Sequence, residues 1–363
     1  MAVYIHLEPG QFIQQEKVLA SQDGLSASLF RFPSGVCALR LKNELGDLVT
    51  LPFQGQQIWD AHMRGRRLTM KSMFEQPYPT RDFLSTYGAF LLHCGATAMG
   101  VPAKEDTHPL HGELHNAPYQ SASVLFAEDE HGKYIGLTGV YRHTIAFNYN
   151  YIAEPLIKLY SGSSIFRVSM TIRNLKATPM PLMFLEHINF IPVNDGRLVQ
   201  TVPCDSENMK VRANIPAFMD VAPGYREFVA LLQQSPQKHL VFEPDLVYDP
   251  EMVLFMKYLF DESGWARTMQ IHPDGTADIV RHRPDQLDHA IRWICRTPDQ
   301  DALGIEPSTA EVEGYIAEKE KGFVRSLAGG AVFRSDLEIG VLTPDEAILE
   351  EILISNTLSD GEL

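Results

Sequence analysis

Positive charge is scarce in this chain: 31 Lys and Arg stand against 46 Asp and Glu, a formal net charge of -15. Phosphate backbones and anionic lipid are held by basic surfaces, so no nucleic-acid and no membrane partner is expected. The acidic surplus serves solubility. Cysteine is equally sparse. Cys37, Cys94, Cys204 and Cys295 lie far apart with no CxxC pair, which speaks against a zinc site or a compact disulfide framework. Buried free thiols in a reducing cytoplasm are expected instead. No apolar run reaches the roughly 18 residues of a membrane helix. The start, MAVYIHLEPGQF, has neither the basic residues nor the apolar stretch of a signal peptide. Repeats, low-complexity tracts and Gly/Ser linkers are missing too. A length of 363 residues would admit two domains. All-β folds often run that long as one, so a single domain over 1–363 is expected.

Helical periodicity is also in short supply. Pro344–Ser355 is the best helix, with Thr343 as N-cap, Pro344 at the first position and acids in the first turn. Glu311–Glu320 is a weaker candidate. What dominates is period two. Phe166, Val168, Met170 and Ile172 alternate with Arg167, Ser169, Thr171 and Arg173, the pattern of a half-buried strand. Leu39 and Leu41 alternate with Arg40 and Lys42, and Pro33-Ser34-Gly35 joins them to Leu29–Phe32 as a hairpin. Asp274-Gly275 marks a second hairpin, between Thr268–Ile271 and Ala277–Val280. The expected fold class is all-β, a large antiparallel β-sandwich with a short C-terminal helix.

Three segments could carry chemistry. In His108-Pro109-Leu110-His111-Gly112-Glu113-Leu114-His115-Asn116 a helix would set His111 and His115 on one face as metal ligands, but Pro109 and Gly112 oppose a helix. A polar loop of solvated imidazoles, a sugar-binding or catalytic loop, and a metal site all remain open. In Pro179–Phe190, Glu186 and His187 interrupt an apolar strand. Adjacent residues point to opposite faces, so only one of them can enter a cleft. A histidine tied to a backbone carbonyl would be the structural alternative. In Leu303-Gly304-Ile305-Glu306-Pro307-Ser308-Thr309, the setting of Glu306 at the end of an apolar strand would raise its pKa toward that of a useful base. A simple strand-end glutamate is the other possibility.

Together these segments resemble the aldose 1-epimerase (galactose mutarotase-like) superfamily. Leu110-His111-Gly112 resembles its first histidine loop. Phe166–Phe190, with Asn174, Pro179, Pro181, His187 and Phe190, resembles its strand–turn–strand run before a catalytic His. Gly304-Ile305-Glu306 resembles the small-apolar-Glu pattern of its base. Asp249-Pro250-Glu251-Met252-Val253-Leu254 is a weaker match. The resemblance runs from about Gln54 to Leu342. It is closest to an uncharacterised, mutarotase-like bacterial subgroup, on Gly55-Gln56-Gln57-Ile58-Trp59-Asp60, Cys94-Gly95, His111-Gly112 with Asn116 and Pro118, and Gly304-Ile305-Glu306-Pro307. The chain departs from the typical mutarotase where His93-Cys94-Gly95-Ala96 occupies the region of the Asn-Arg pair.

The resemblance implies a supersandwich fold and interconversion of the α and β anomers of a free sugar by acid/base ring opening. Glu306 would be the base and His187 the acid, held as a charged pair. His111, Asp249 and Asn116 would bind sugar, and no metal or other cofactor would be needed. The implied partner is a small-molecule sugar, with a homodimer compatible, in the cytoplasm. Trp59, Trp265 and Trp293 are candidates to stack on a sugar face, and Arg142, Arg281 and Arg283 to meet an anionic one. A neutral sugar is favoured. Two other classes compete: a metal-dependent sugar isomerase using His108, His111, Glu113 and His187, and a non-catalytic sugar-binding protein.

Overall fold

The structure is a computed structural model that describes residues 2–212, 221, 223–244 and 247–361. Its strands form two large sheets, one of nine strands and one of thirteen. Among the described residues the paired strands of both sheets run antiparallel, as short hairpin connections favour. Phe166, Val168, Met170 and Ile172 are buried while their alternates are partly exposed. That strand, Ile165–Asn174, pairs with Tyr149–Tyr160 and Val332–Leu342 in the nine-stranded sheet. Its Phe166 and Val168 join Leu39, Leu41, Ile188 and Phe190 of the thirteen-stranded sheet in one apolar core. Each such side chain taken from water contributes about 1.5–3 kcal/mol. The molecule is therefore an antiparallel β-sandwich.

Both hairpins form. Leu29 pairs with Leu39 across the Pro33–Gly35 turn, and Ile271 pairs with Ala277 across Asp274-Gly275. The C-terminal helix runs Pro344–Asp360, five residues beyond the stretch read from the sequence. Glu350, buried on its inner face, accepts from Arg267 Nε and Arg281 Nε at 2.7 Å each and so ties the helix to the sheet. The Glu311–Glu320 candidate shortens to Tyr315–Glu320. A helix at Tyr225–Gln234 has its Tyr225, Val229 and Leu232 buried at helical spacing, a signal the sequence carried and the expectation missed. Of the cysteines, three are buried and Cys204 is exposed, contrary to expectation for that one. Among the described residues no helix is long and apolar enough to cross a membrane.

The Thr343–Glu346 capping box is present, with Glu346 Oε2 accepting from Thr343 N at 2.7 Å. Thr343→Ala should lower the unfolding free energy by about 1 kcal/mol, read from urea denaturation. No change in the midpoint would mean that Glu350 and its arginines hold the helix alone.

Candidate active site

The strand Met180–Phe190 lies inside the thirteen-stranded sheet, between Leu91–Ala96 and Asp301–Ser308. Both of its faces are covered, which is why it reads as a nearly continuous apolar run. Phe184, Ile188 and Phe190 pack toward the nine-stranded sheet, whereas Met183 and Leu185 pack on the opposite side with Val253 and Ile291. Glu186 follows the first set. It is fully buried and bound to His93 Nδ1 at 2.7 Å. His187 follows the second set and enters a cleft of about 250 Å³.

Glu306 enters the same cleft from Asp301–Ser308, and its Oε1 lies 3.3 Å from His187 Nδ1. Gly304 makes room for it. A Cβ there would fall 2.3 Å from Glu306 Oε1 and 2.8 Å from Trp293 Cβ. Around the pair stand His111, Arg212, Glu251, Phe83, Tyr87 and Trp293. His111 sits in a turn with φ +57°, followed by Gly112 at +80°. That left-handed pair is incompatible with a helix. It turns the imidazole against Phe83, ring centroids 4.8 Å apart.

The hydrogen bonds fix the tautomer of His187. Asn189 Nδ2 donates to Ala89 O at 3.0 Å, which leaves its Oδ1 as an acceptor. Tyr87 OH donates to that oxygen at 3.3 Å and lies 3.2 Å from His187 Nε2. With its one proton spent on Asn189, Tyr87 can only accept from His187, so Nε2 carries the hydrogen, and Nδ1 keeps a free lone pair 3.3 Å from Glu306 Oε1, neither atom having a hydrogen-bond partner among the described residues. Electrostatics agree. Burial pushes His187 down to about 3. Burial first, and then the neighbouring Glu251, push Glu306 well above the usual carboxylate range. Burial thus works against the charged form of both partners, the opposite of what the expected standing ion pair requires. Desolvation opposes both charges. His111 is likewise held well below its usual value, mainly by burial.

Of the five residues singled out as site residues, the cleft brings together His111, His187 and Glu306; Asn116 and Asp249 are not among its lining residues. Asn116 Oδ1 accepts from Gln54 and Gln57 at 3.0 and 2.8 Å, and its amide donates to His115 Nδ1. It holds the loop together. Glu251, two residues beyond Asp249, lines the cleft instead. Its Oε2 accepts from Trp293 Nε1 at 2.7 Å and its Oε1 pairs with Arg212. The register shifts between Tyr248 and Met252, which makes the strand irregular around both residues.

Other candidates sort as clearly. Trp293 lines the cleft, Trp59 packs in the apolar cluster beneath it, and Trp265 lies under Arg283 at 4.2 Å. Arg281 is bound to Glu338 and Glu350, and Arg142 to Asn150. The cleft's arginine is Arg212, which the sequence did not suggest because nothing near it resembles a motif. His108 is spent on the backbone, donating from Nδ1 to Pro109 O at 2.8 Å and accepting from Tyr315 N at 3.2 Å. Glu113 accepts from Tyr151 OH at 2.7 Å and from Thr97. Among the described residues, no three His, Cys, Asp or Glu side chains converge as metal ligands.

Comparison with known proteins agrees with this architecture. A family described as "Domain of unknown function (DUF4432)" matches residues 33–341. No curated protein matches the sequence. Among solved structures, a "putative aldose 1-epimerase" from Klebsiella pneumoniae is similar at a TM-score of 0.83 and 16% identity, over 99% of this chain and 96% of that one. A galactose mutarotase-like protein from Clostridium acetobutylicum is similar at 0.58 and 13%, over 88% and 99%. One from Lactobacillus casei gives 0.54 and 13%, over 84% and 99%. The chain shares the galactose mutarotase-like fold.

Proposed function

The chain belongs to the DUF4432 family, and within it we propose that the cleft binds a free monosaccharide and interconverts its α and β anomers. The observation that supports this most is the His187–Glu306 contact, 3.3 Å, at the floor of a cleft of monosaccharide size. Ring opening needs one proton taken from the C1 hydroxyl and one delivered to the ring oxygen. A pair holding one proton between them meets both needs. With sugar bound across the pair, the shared proton passes from Glu306 to His187; the carboxylate then takes the C1 hydroxyl proton as the imidazolium gives its proton to the ring oxygen. The C1–ring-oxygen bond breaks and C1 becomes an aldehyde. The pair is then neutral on both sides, the distribution that burial favours, so the cleft stabilises the open sugar's partner state. Rotation about C1–C2 and reversal of the steps yield the other anomer. His111 hydrogen-bonds a sugar hydroxyl, and Trp293 offers an apolar face to the ring.

The test is an NMR exchange screen of pure sugars, reading α/β interconversion directly. Binding without exchange would leave a sugar-binding protein. Exchange should survive prolonged EDTA dialysis, and loss of activity on chelation would point to a metal-dependent isomerase. His111→Ala should slow exchange by about 10–100-fold, the range for one lost polar contact to the reacting group. His115→Ala should leave the rate within a few fold yet lower the melting temperature, since His115 is buried and bound to Asn116. Equal effects of the two on turnover would remove His111 from the sugar.

A further inference from the structure

Arg292 occupies the strand His289–Arg296 between Ile291 and Trp293, both of which line the cleft. Its own side chain therefore projects from the opposite face, where it is fully buried. It donates to Gln200 Oε1 at 2.7 Å, Tyr258 OH at 3.3 Å and Gly304 O at 3.4 Å. None of these is a carboxylate, and among the described residues no Asp or Glu pairs with it. A guanidinium keeps its proton in such a place, and an uncompensated buried cation is costly.

A carboxyl that this charge can act on stands across the sheet. The Gly304 whose carbonyl Arg292 approaches from behind is the residue whose missing side chain admits Glu306 Oε1 in front. Gly304 thus has the guanidinium at its carbonyl and the carboxyl at its missing side chain. On the cleft side, Arg212 is already committed to Glu251 and lies 3.8 Å from Glu313. We infer that Arg292 is a positioning residue for Glu306, its buried charge acting across Gly304 to hold the base in place and favour its ionised form.

The surrounding groups define what that charge must work against. Glu306 faces His187, Tyr87, Cys94, Glu251 and Arg212; Glu251 raises it, whereas Arg292 and Arg212 lower it. Behind the sheet Arg292 faces Tyr258 and His239, and His239, pushed down to about 3, adds no competing cation.

The inference rests on Glu306 belonging to the acid–base pair. In that reading the pair needs one proton, so the rate falls at high pH as the pair loses it. Arg292→Met should move this upper limb to higher pH by about one unit or more, because a cation within several ångströms is gone. Arg292→Lys should restore it. Gln200→Glu keeps the guanidinium but sets a carboxylate against it, and should move the limb the same way as Arg292→Met. An unmoved limb in a folded Arg292→Met protein overturns the inference. If that variant does not fold, an unmoved limb in Gln200→Glu does so. The carboxyl infrared band of Glu306, assigned by difference against Glu306→Gln, gives the same readout without turnover. A shift of the band's titration in a protein that exchanges no sugar would keep Arg292's role while ending the anomer-exchange reading.

Discussion

Glu306→Gln is expected to slow anomer exchange by about 10²–10⁴-fold, the loss typical of one removed acid–base group. The amide preserves the shape of the carboxyl and cannot take a proton at any accessible pH. Gly304 leaves a hole fitted to this side chain, so the amide should be housed without displacing Trp293. Sugar binding, read by saturation transfer, should survive within a few fold. Stability should not fall, since burial holds the carboxyl well above its usual range and the site already accepts a neutral group. A near-normal rate in a folded variant would move the base elsewhere in the cleft. A normal rate constant with weakened affinity would make Glu306 a binding group only.

The sequence made the sandwich legible because alternation is a local property. Phe166 to Ile172 alternate whatever the rest of the chain does, and the turn residues of Pro33–Gly35 and Asp274-Gly275 act within a few positions. His187 and Glu306 were legible for a related reason. Each is a polar residue on a strand that is otherwise apolar, a cost that draws attention to itself. Glu186 is equally conspicuous, and alternation alone does not say which of the two neighbours faces the cleft. The answer lies in His93, 93 positions away, which takes Glu186 into the core.

What failed was contact made by chance of the fold rather than by spacing. Asp249 came from the weakest of the motif matches, and Glu251, two residues on in an irregular stretch of the strand, lines the cleft in its stead. Asn116 looked like a sugar ligand as part of a motif, yet it is consumed by Gln54 and Gln57. Tyr87 and Arg212 reach the cleft from separate segments, each in plain local sequence, whereas Trp293 stood out as an aromatic that could stack on a sugar. The ion pair was drawn from attraction alone. Attraction between Glu306 and His187 could be anticipated from residue types, but the depth of burial that opposes it could not.

That burial sets the sign of the last expectation. In the wild type the competent pair carries one proton, so exchange should fall as pH rises through the elevated titration of Glu306 and stay level toward acid until a second proton binds near His187's depressed value of about 3. His187→Gln removes the acid and leaves Glu306 to act alone as base, with water as the proton donor. The rate at neutral pH should drop by about 10²–10⁴-fold. Its pH dependence should also reverse, rising where the wild type falls, because a lone base works only when ionised. Tyr87 would lose the hydrogen it accepts from Nε2, but its own hydroxyl would stay bound to Asn189, so the cleft wall should keep its shape. A structural role for His187 would lower rate and stability together without turning the profile over. A variant that is slower but still declines at high pH would show that the proton to the ring oxygen comes from another group, and His111, the other imidazole in the cleft, would be the one to examine.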